Sequence, residues 1–261
     1  MFKTIVQIYE VQRQSEAEKL VSLGVDHVGS VLMEDGKWKQ PALRRCVESV
    51  QAAGAKSALI PLTKDQVKIF SALDYYRPDI VHLCDNITLC SGVWGELREF
   101  DALMTLQIDL KDRFPQIDIM RSLPVPRPGM ADVFTLRQSL RQLAGLFAPV
   151  SDYFLIDTLS DGEDQPVAGY VGITGEVCDW EIAADLIMSS PIPVIVAGGI
   201  SSANVYGAIT RLRPAGVDSC TKTNALDREG NPIRFRKDMK KVRALLREAR
   251  RADAFVNEGG K

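Results

Sequence analysis

Residues Val194 to Asn204 read V-I-V-A-G-G-I-S-S-A-N, a β-branched apolar strand that runs into Gly198-Gly199 and then into a polar turn. A strand, two residues without side chains and a helix start bring backbone N–H groups together at the positive end of a helix dipole. That arrangement holds phosphate well. Ser201 or Ser202 is expected to cap the helix. A second reading stays open, in which the glycines only permit close packing of a tight strand-to-helix turn.

The same alternation runs through the whole chain. Strand-like runs fall at Thr4–Tyr9, His27–Leu32, Lys56–Ile60, Asp79–Leu83, Asp118–Leu123, Tyr153–Asp157, Pro193–Ala197 and Val217–Cys220. Helical patterns fall between and after them at Ser15–Leu23, Pro41–Ala53, Lys64–Tyr75, Gly92–Phe114, Asp132–Phe147, Asp179–Met188, Ser202–Leu212 and Phe235–Arg251. Near-continuous apolar strands separated by helices imply a parallel sheet. Eight such units in 261 residues predict a single (β/α)8 TIM barrel over residues 1–251, with 252–261 as a flexible C-terminal tail. An open doubly wound sheet is the alternative, but its G-x-G-x-x-G is missing after the first strand.

A net charge of −2 provides no broad basic field for nucleic acid or an anionic membrane. No apolar run is long enough for a membrane span, and no signal peptide is seen. Five scattered cysteines without C-x-x-C spacing suit reduced thiols in a cytoplasmic protein. The two histidines, His27 and His82, lie on different strands and suggest no metal cluster. The expectation is a cofactor-free monomer or homodimer that binds a phosphorylated small molecule.

In a barrel the strand C-termini converge on one mouth. Asp157 ends the apolar run Tyr-Phe-Leu-Ile, where partial desolvation raises a carboxyl pKa and suits a general acid. An Asp there also serves as a turn cap. Tyr9 and Glu10 end the first strand and are the candidate bases. Glu10 has the better reference pKa, whereas strand alternation favours Tyr9 as the inward residue. Thr221 and Lys222 follow the eighth strand and are natural partners of Gly198 and Gly199, with Gly175 in a glycine-spaced loop that Asp179 ends as a helix cap. Arg121, on an inner strand, calls for an anionic partner, either a ligand or Asp157; His82 joins the binding set. Glu34, Asp35 and Asp85 leave a divalent ion open.

The residues Leu155-Ile156-Asp157, Ile173-Thr174-Gly175, Asp179-Trp180, Ala197-Gly198-Gly199-Ile200, Asn204-Val205, Gly216-Val217-Asp218 and Lys237-Asp238, with Gly24-Val25-Asp26-His27-Val28-Gly29 in the first half, together resemble the phosphoribosylanthranilate isomerase family. The resemblance implies a barrel of the ribulose-phosphate-binding type and an Amadori rearrangement of an aminated ribose phosphate. It assigns the acid to Asp157. Where the family has Lys-Ile-Cys-Gly, with cysteine as base, this chain has Gln7-Ile8-Tyr9-Glu10. The family's Ser-Pro-Arg, whose arginine meets the anthranilate carboxylate, is replaced by Glu34-Asp35-Gly36-Lys37. The family's Gln-Leu-His-Gly is His82-Leu83-Cys84-Asp85, and its Ser-Ser-Gly-Val-Glu is Cys220-Thr221-Lys222-Thr223-Asn224. The expectation is therefore an isomerase whose phosphate end persists while its other end has changed. The alternatives are a genuine phosphoribosylanthranilate isomerase of tryptophan biosynthesis with a relocated base, and a non-catalytic phosphometabolite-binding barrel.

Overall fold

A computed structural model of the chain describes residues 2–33, 37–87, 97–129, 133–159, 169–172 and 174–259. Eight parallel strands close into one barrel in sequence order: β1 (Ile5–Ile8), β2 (His27–Leu32), β3 (Lys56–Pro61), β4 (Ile80–Leu83), β5 (Asp118–Pro126), β6 (Tyr153–Leu159), β7 (Val194–Val196) and β8 (Gly216–Ser219). Closure pairs β1 with β8, Gln7 opposite Asp218. The helices α1 (Gln14–Ser22), α2 (Pro41–Ala52), α3 (Gln66–Tyr76), α4 (Leu97–Arg113), α5 (Val133–Phe147), α6 (Trp180–Ser189) and α7 (Val205–Leu212) follow strands β1 to β7 in turn. Outward residues such as Val6, Ile8, Phe154 and Ile156 form the main core with the helices; Tyr9, Ile80, Met120, Leu155 and Ile195 pack inside the barrel. This is the expected (β/α)8 architecture. Among the described residues no helix is long and apolar enough to cross a membrane.

Three local expectations change. After β8 the chain forms an antiparallel hairpin, β9 (Asn224–Leu226) with β10 (Pro232–Lys237), and α8 (Met239–Asn257) starts only where Asp238 accepts N–H bonds from Lys240 and Lys241. Phe235 is thus a strand residue with left-handed backbone (φ 61°), not the start of a helix.

The helix α7 begins at Val205, and neither Ser201 nor Ser202 caps it by side chain. Asn204 instead braces the glycine turn, accepting from Ser201 N at 2.8 Å and donating to Gly199 O at 3.1 Å.

The tail expected from residue 252 is helical as far as Asn257. Ala252 is buried, Asp253 accepts from Thr4 N at 3.0 Å and Thr4 Oγ1 at 2.6 Å, and Asn257 bonds both N and O of Phe2. Truncation after Arg251 leaves the buried Thr4 donors unpaired, at about 1–3 kcal/mol each. Thermal denaturation is expected to show Tm lowered by several degrees, whereas truncation after Asn257 leaves it unchanged.

Candidate active site

The mouth is built by strand alternation, which turns every second residue inward. On β6 that parity delivers Leu155 and then Asp157, and continuing past β8 it delivers Asp218 and Cys220. Asp157, Asp218 and Cys220 line two adjoining cavities that divide the mouth.

The first is a polar cleft. The structure gathers Gly175, Gly198, Gly199, Thr221 and Lys222 around it, together with Asp157. Gly198 and Gly199 both have left-handed backbone (φ 79° and 61°). A Cβ on Gly198 would stand 2.2 Å from Thr158 Oγ1, and one on Gly199 2.9 Å from Gly175 O. Close packing therefore accounts for the glycines by itself. The same packing leaves the N–H groups of Gly198, Gly199 and Ile200 without a backbone acceptor among the described residues. Those donors and exposed Lys222 make the cleft suitable for an anion.

The second is a mostly apolar chamber walled by Val31, Ile60, Leu62 and Tyr170, with Tyr9, Glu10 and His82 also on its surface. Its roof comes from two covers. One is the segment after β6, where Asn86 N bonds Gly169 O and Val171 N bonds Cys84 O, both at 2.9 Å. The other is the β9–β10 hairpin: Phe235 packs in one cluster with Val31, Leu62, Cys84 and Tyr170.

Asp157 keeps part of its carboxyl open to the cavities, and its Oδ1 accepts from Thr158 N at 2.8 Å. Burial pushes its pKa up to about 6, against the lowering effect of that bond. Gly172 is required beside it, because a Cβ there would lie 2.2 Å from Asp157 Oδ2. Asp218 is pushed up to about 8, first by burial and then by the charge of Asp157. Sequence reasoning did not select Asp218, although its inward parity on a buried strand is a usable signal.

Tyr9 fills the barrel centre and bonds His82 Nδ1 at 2.8 Å; His82 Nε2 bonds Ser122 Oγ at 2.8 Å. Burial and then the Arg121 charge lower the His82 pKa to about 3, so the imidazole is neutral and passes one hydrogen bond on to the next. Burial also pushes the Tyr9 phenol well above its ordinary value, with Asp218 adding to the effect. A tyrosine in that state is no base near neutral pH, which corrects the expectation for Tyr9. Glu10 follows it with left-handed backbone (φ 61°), outside strand alternation, and its Oε1 accepts from Arg234 Nε at 2.8 Å and from Arg234 Nη2.

Arg121 does not reach the mouth. It points outward from β5, fully buried between the barrel and α4 and α5, donating to Gln107 Oε1 at 2.7 Å and to Asp85 Oδ2 at 3.1 Å and lying over the Phe147 ring. Its anionic partner is Asp85, neither a ligand nor Asp157. His27 bonds Gln7 Oε1 at 3.1 Å in a lower layer of the barrel, with its pKa lowered to about 4 chiefly by burial. Among the described residues no three His, Cys, Asp or Glu side chains stand together as a metal set. Glu34 and Asp35 lie outside the described residues.

Comparisons with known proteins agree with this architecture. Residues 133–223 match the family model for N-(5'-phosphoribosyl)anthranilate (PRA) isomerase. N-(5'-phosphoribosyl)anthranilate isomerase 2 of Methanosarcina mazei is 32% identical over 187 residues, 67% of this chain and 76% of that one. The corresponding enzyme of Methanosarcina acetivorans is 24% identical across 97% of this chain and 96% of its own. The Pyrococcus furiosus enzyme structure superposes with a TM-score of 0.67 at 20% identity, covering 95% of this chain and 99% of that one.

Proposed function

This chain belongs to the phosphoribosylanthranilate isomerase family, and from that premise we propose that it isomerises a phosphorylated sugar-type metabolite other than phosphoribosylanthranilate. It is an isomerase by descent; the reaction and its groups are the proposal. The observation that carries it is the carboxyl pair Asp157 and Asp218 at the junction of an anion-suited cleft and an apolar chamber.

Isomerisation of this type needs an acid at the ring oxygen or imine and a base at the neighbouring carbon. Two buried carboxyls whose environments separate their titrations provide both. Between about pH 6 and about pH 8 the pair holds one proton. The family resemblance gives the acid role to Asp157 and leaves the base role expected of Tyr9 or Glu10 to Asp218. Because Asp218 is pushed further up, the single proton of the pair rests on Asp218 and passes to Asp157 before the cycle begins. Gly198, Gly199, Thr221 and Lys222 hold the phosphate, Gly175 lets the loop approach it, and His82 fixes the Tyr9 hydroxyl. One chain lines both cavities, so a monomer and a homodimer serve equally. No cofactor is required, and neither nucleic acid nor membrane enters the reaction; a cytoplasmic location accords with a phosphorylated metabolite.

The usual substrate carries a carboxylate, and no Lys or Arg lines the chamber among the described residues, whereas Glu10, Asp157 and Asp218 do. The names of the relatives favour a second reading, a true phosphoribosylanthranilate isomerase whose base has moved to Asp218. The thiols in the chamber, Cys84 and Cys220, are both pushed far up by burial and are not ready bases.

Fluorescence loss of phosphoribosylanthranilate separates the two. We expect no turnover, with inorganic phosphate still raising Tm and Lys222→Ala weakening that effect. Turnover that disappears in Asp157→Asn establishes the second reading. No phosphate effect on the native chain refutes the cleft assignment.

A further inference from the structure

Two carboxylate-type oxygens in the chamber have no hydrogen-bond partner among the described residues: Glu10 Oε2 and Asp218 Oδ1. Glu10 is 2% exposed and Asp218 6% exposed, and both line the same apolar space. A buried acceptor left unpaired is costly, and a ligand that brings donors removes that cost. The chamber's stronger donors are already committed, and the Cys220 thiol, kept protonated by burial, meets Glu10 only as a weak donor. The Tyr9 hydroxyl and His82 bond each other, His82 also bonds Ser122, and Arg234 approaches Glu10 from the rim on its other oxygen.

We infer that the chamber is an amine-accepting subsite: the substrate end opposite the phosphate bears an ammonium or similar donor-rich group, which Glu10 receives beside the reacting Asp218, and a carboxylate there is refused. The inference rests on the sugar-phosphate reading for the other end of the ligand. Val31, Ile60, Leu62 and Tyr170 take the carbon skeleton between the two polar ends. Glu10 reaches this space only because its left-handed backbone breaks the strand parity that turns Tyr9 inward. The departure from the family pattern at Tyr9-Glu10 thus has a positive role. It exchanges a reacting residue for a specificity-determining one.

Three sugar phosphates of similar size test this: glucosamine 6-phosphate, glucose 6-phosphate and 6-phosphogluconate, titrated calorimetrically against the full chain. The amine is expected to bind about ten- to a hundredfold more tightly than the neutral sugar, the range for a buried charge-assisted hydrogen bond, and the acid more weakly than either. Glu10→Gln is expected to abolish the preference for the amine. Arg234→Met, which breaks the ion pair but keeps the carboxylate, is expected to retain it. Equal or tighter binding of 6-phosphogluconate overturns the inference. So does a preference unchanged in Glu10→Gln, or lost equally in Arg234→Met. If inorganic phosphate and all three phosphates fail to bind, the phosphate reading is what has failed, and glucosamine against glucose then decides. Tighter binding of glucosamine sustains the subsite, and equal or undetectable binding of both overturns it.

Discussion

Replacing Asp157 with asparagine lowers kcat/KM about 10²–10⁴-fold for the native substrate, the range for loss of a positioned proton-transfer group. Inorganic phosphate still binds, because the cleft's donors are elsewhere. The native pH profile is a bell with limbs near about 6 and about 8, where the pair loses its first and second protons. Below the first limb no base remains, and above the second no acid. In Asp157→Asn the alkaline limb moves down, since the charge that helps hold the Asp218 proton is gone.

Stability does not follow the activity bell. Both carboxyls titrate above the ordinary 3.8, so the folded state keeps protons that the unfolded chain releases. Their stabilising effect is full at low pH and is lost as pH rises through about 6 and about 8. Above pH 8 the native fold carries two buried charges, and Asp157→Asn is expected to melt higher than the native chain there. A variant inactive merely through misfolding would melt lower. Circular dichroism melts at pH 5 and pH 9 distinguish these outcomes.

The second large effect is structural. Gly29→Ala places a Cβ 2.1 Å from two carbons of the Tyr9 ring and 2.7 Å from a third. The ring cannot swing aside at small cost, because its hydroxyl is tied to His82. The expected destabilisation is about 1–3 kcal/mol, the usual cost of an overpacked core, or several degrees in Tm. Adding Tyr9→Ala to the Gly29→Ala chain should recover part of that loss, and urea denaturation of the four proteins gives a coupling of about 0.5–3 kcal/mol. Additive losses would mean that the two positions do not share one space. Gly145→Ala, on α5 with no atom within 4 Å of the added Cβ, serves as a control.

How much of this was legible depended on which physical rule each residue obeys. The β-branched runs betray the strands, and all eight appear within three residues of their expected ends. The cleft glycines were visible as the end of an apolar strand at a helix start, although close packing alone also calls for glycine at both positions. Asp157 was visible as a polar end to an apolar run. Arg121 misled because a charge on a buried strand was assigned to the mouth without its parity: Met120 and Ser122 flank it and face inward, so it faces the helices. Glu10 is the reverse case, since left-handed backbone suspends parity and no sequence period announces it. Phe235 continues the periodic pattern of the following helix, and only its hairpin partner Asn224–Leu226 makes it a strand.

The two covers over the chamber differ in how they are attached, and that difference sets the ligand's route. The Gly169–Val171 side is hydrogen-bonded to the end of β4 and behaves as part of the sheet. The hairpin has an irregular two-strand register and a half-exposed second strand, held to the barrel through the Arg234–Glu10 ion pair near its middle and through buried Lys237 at its end, which donates to Cys220 O at 3.0 Å. The less protected element opens first. The expected route for exchange of ligand with solvent is therefore the hairpin tip, checked by hydrogen exchange at residues 226–234 against 169–172. Residence time becomes adjustable from the Asp227–Asn231 turn, a part of the surface that never meets the reacting atoms.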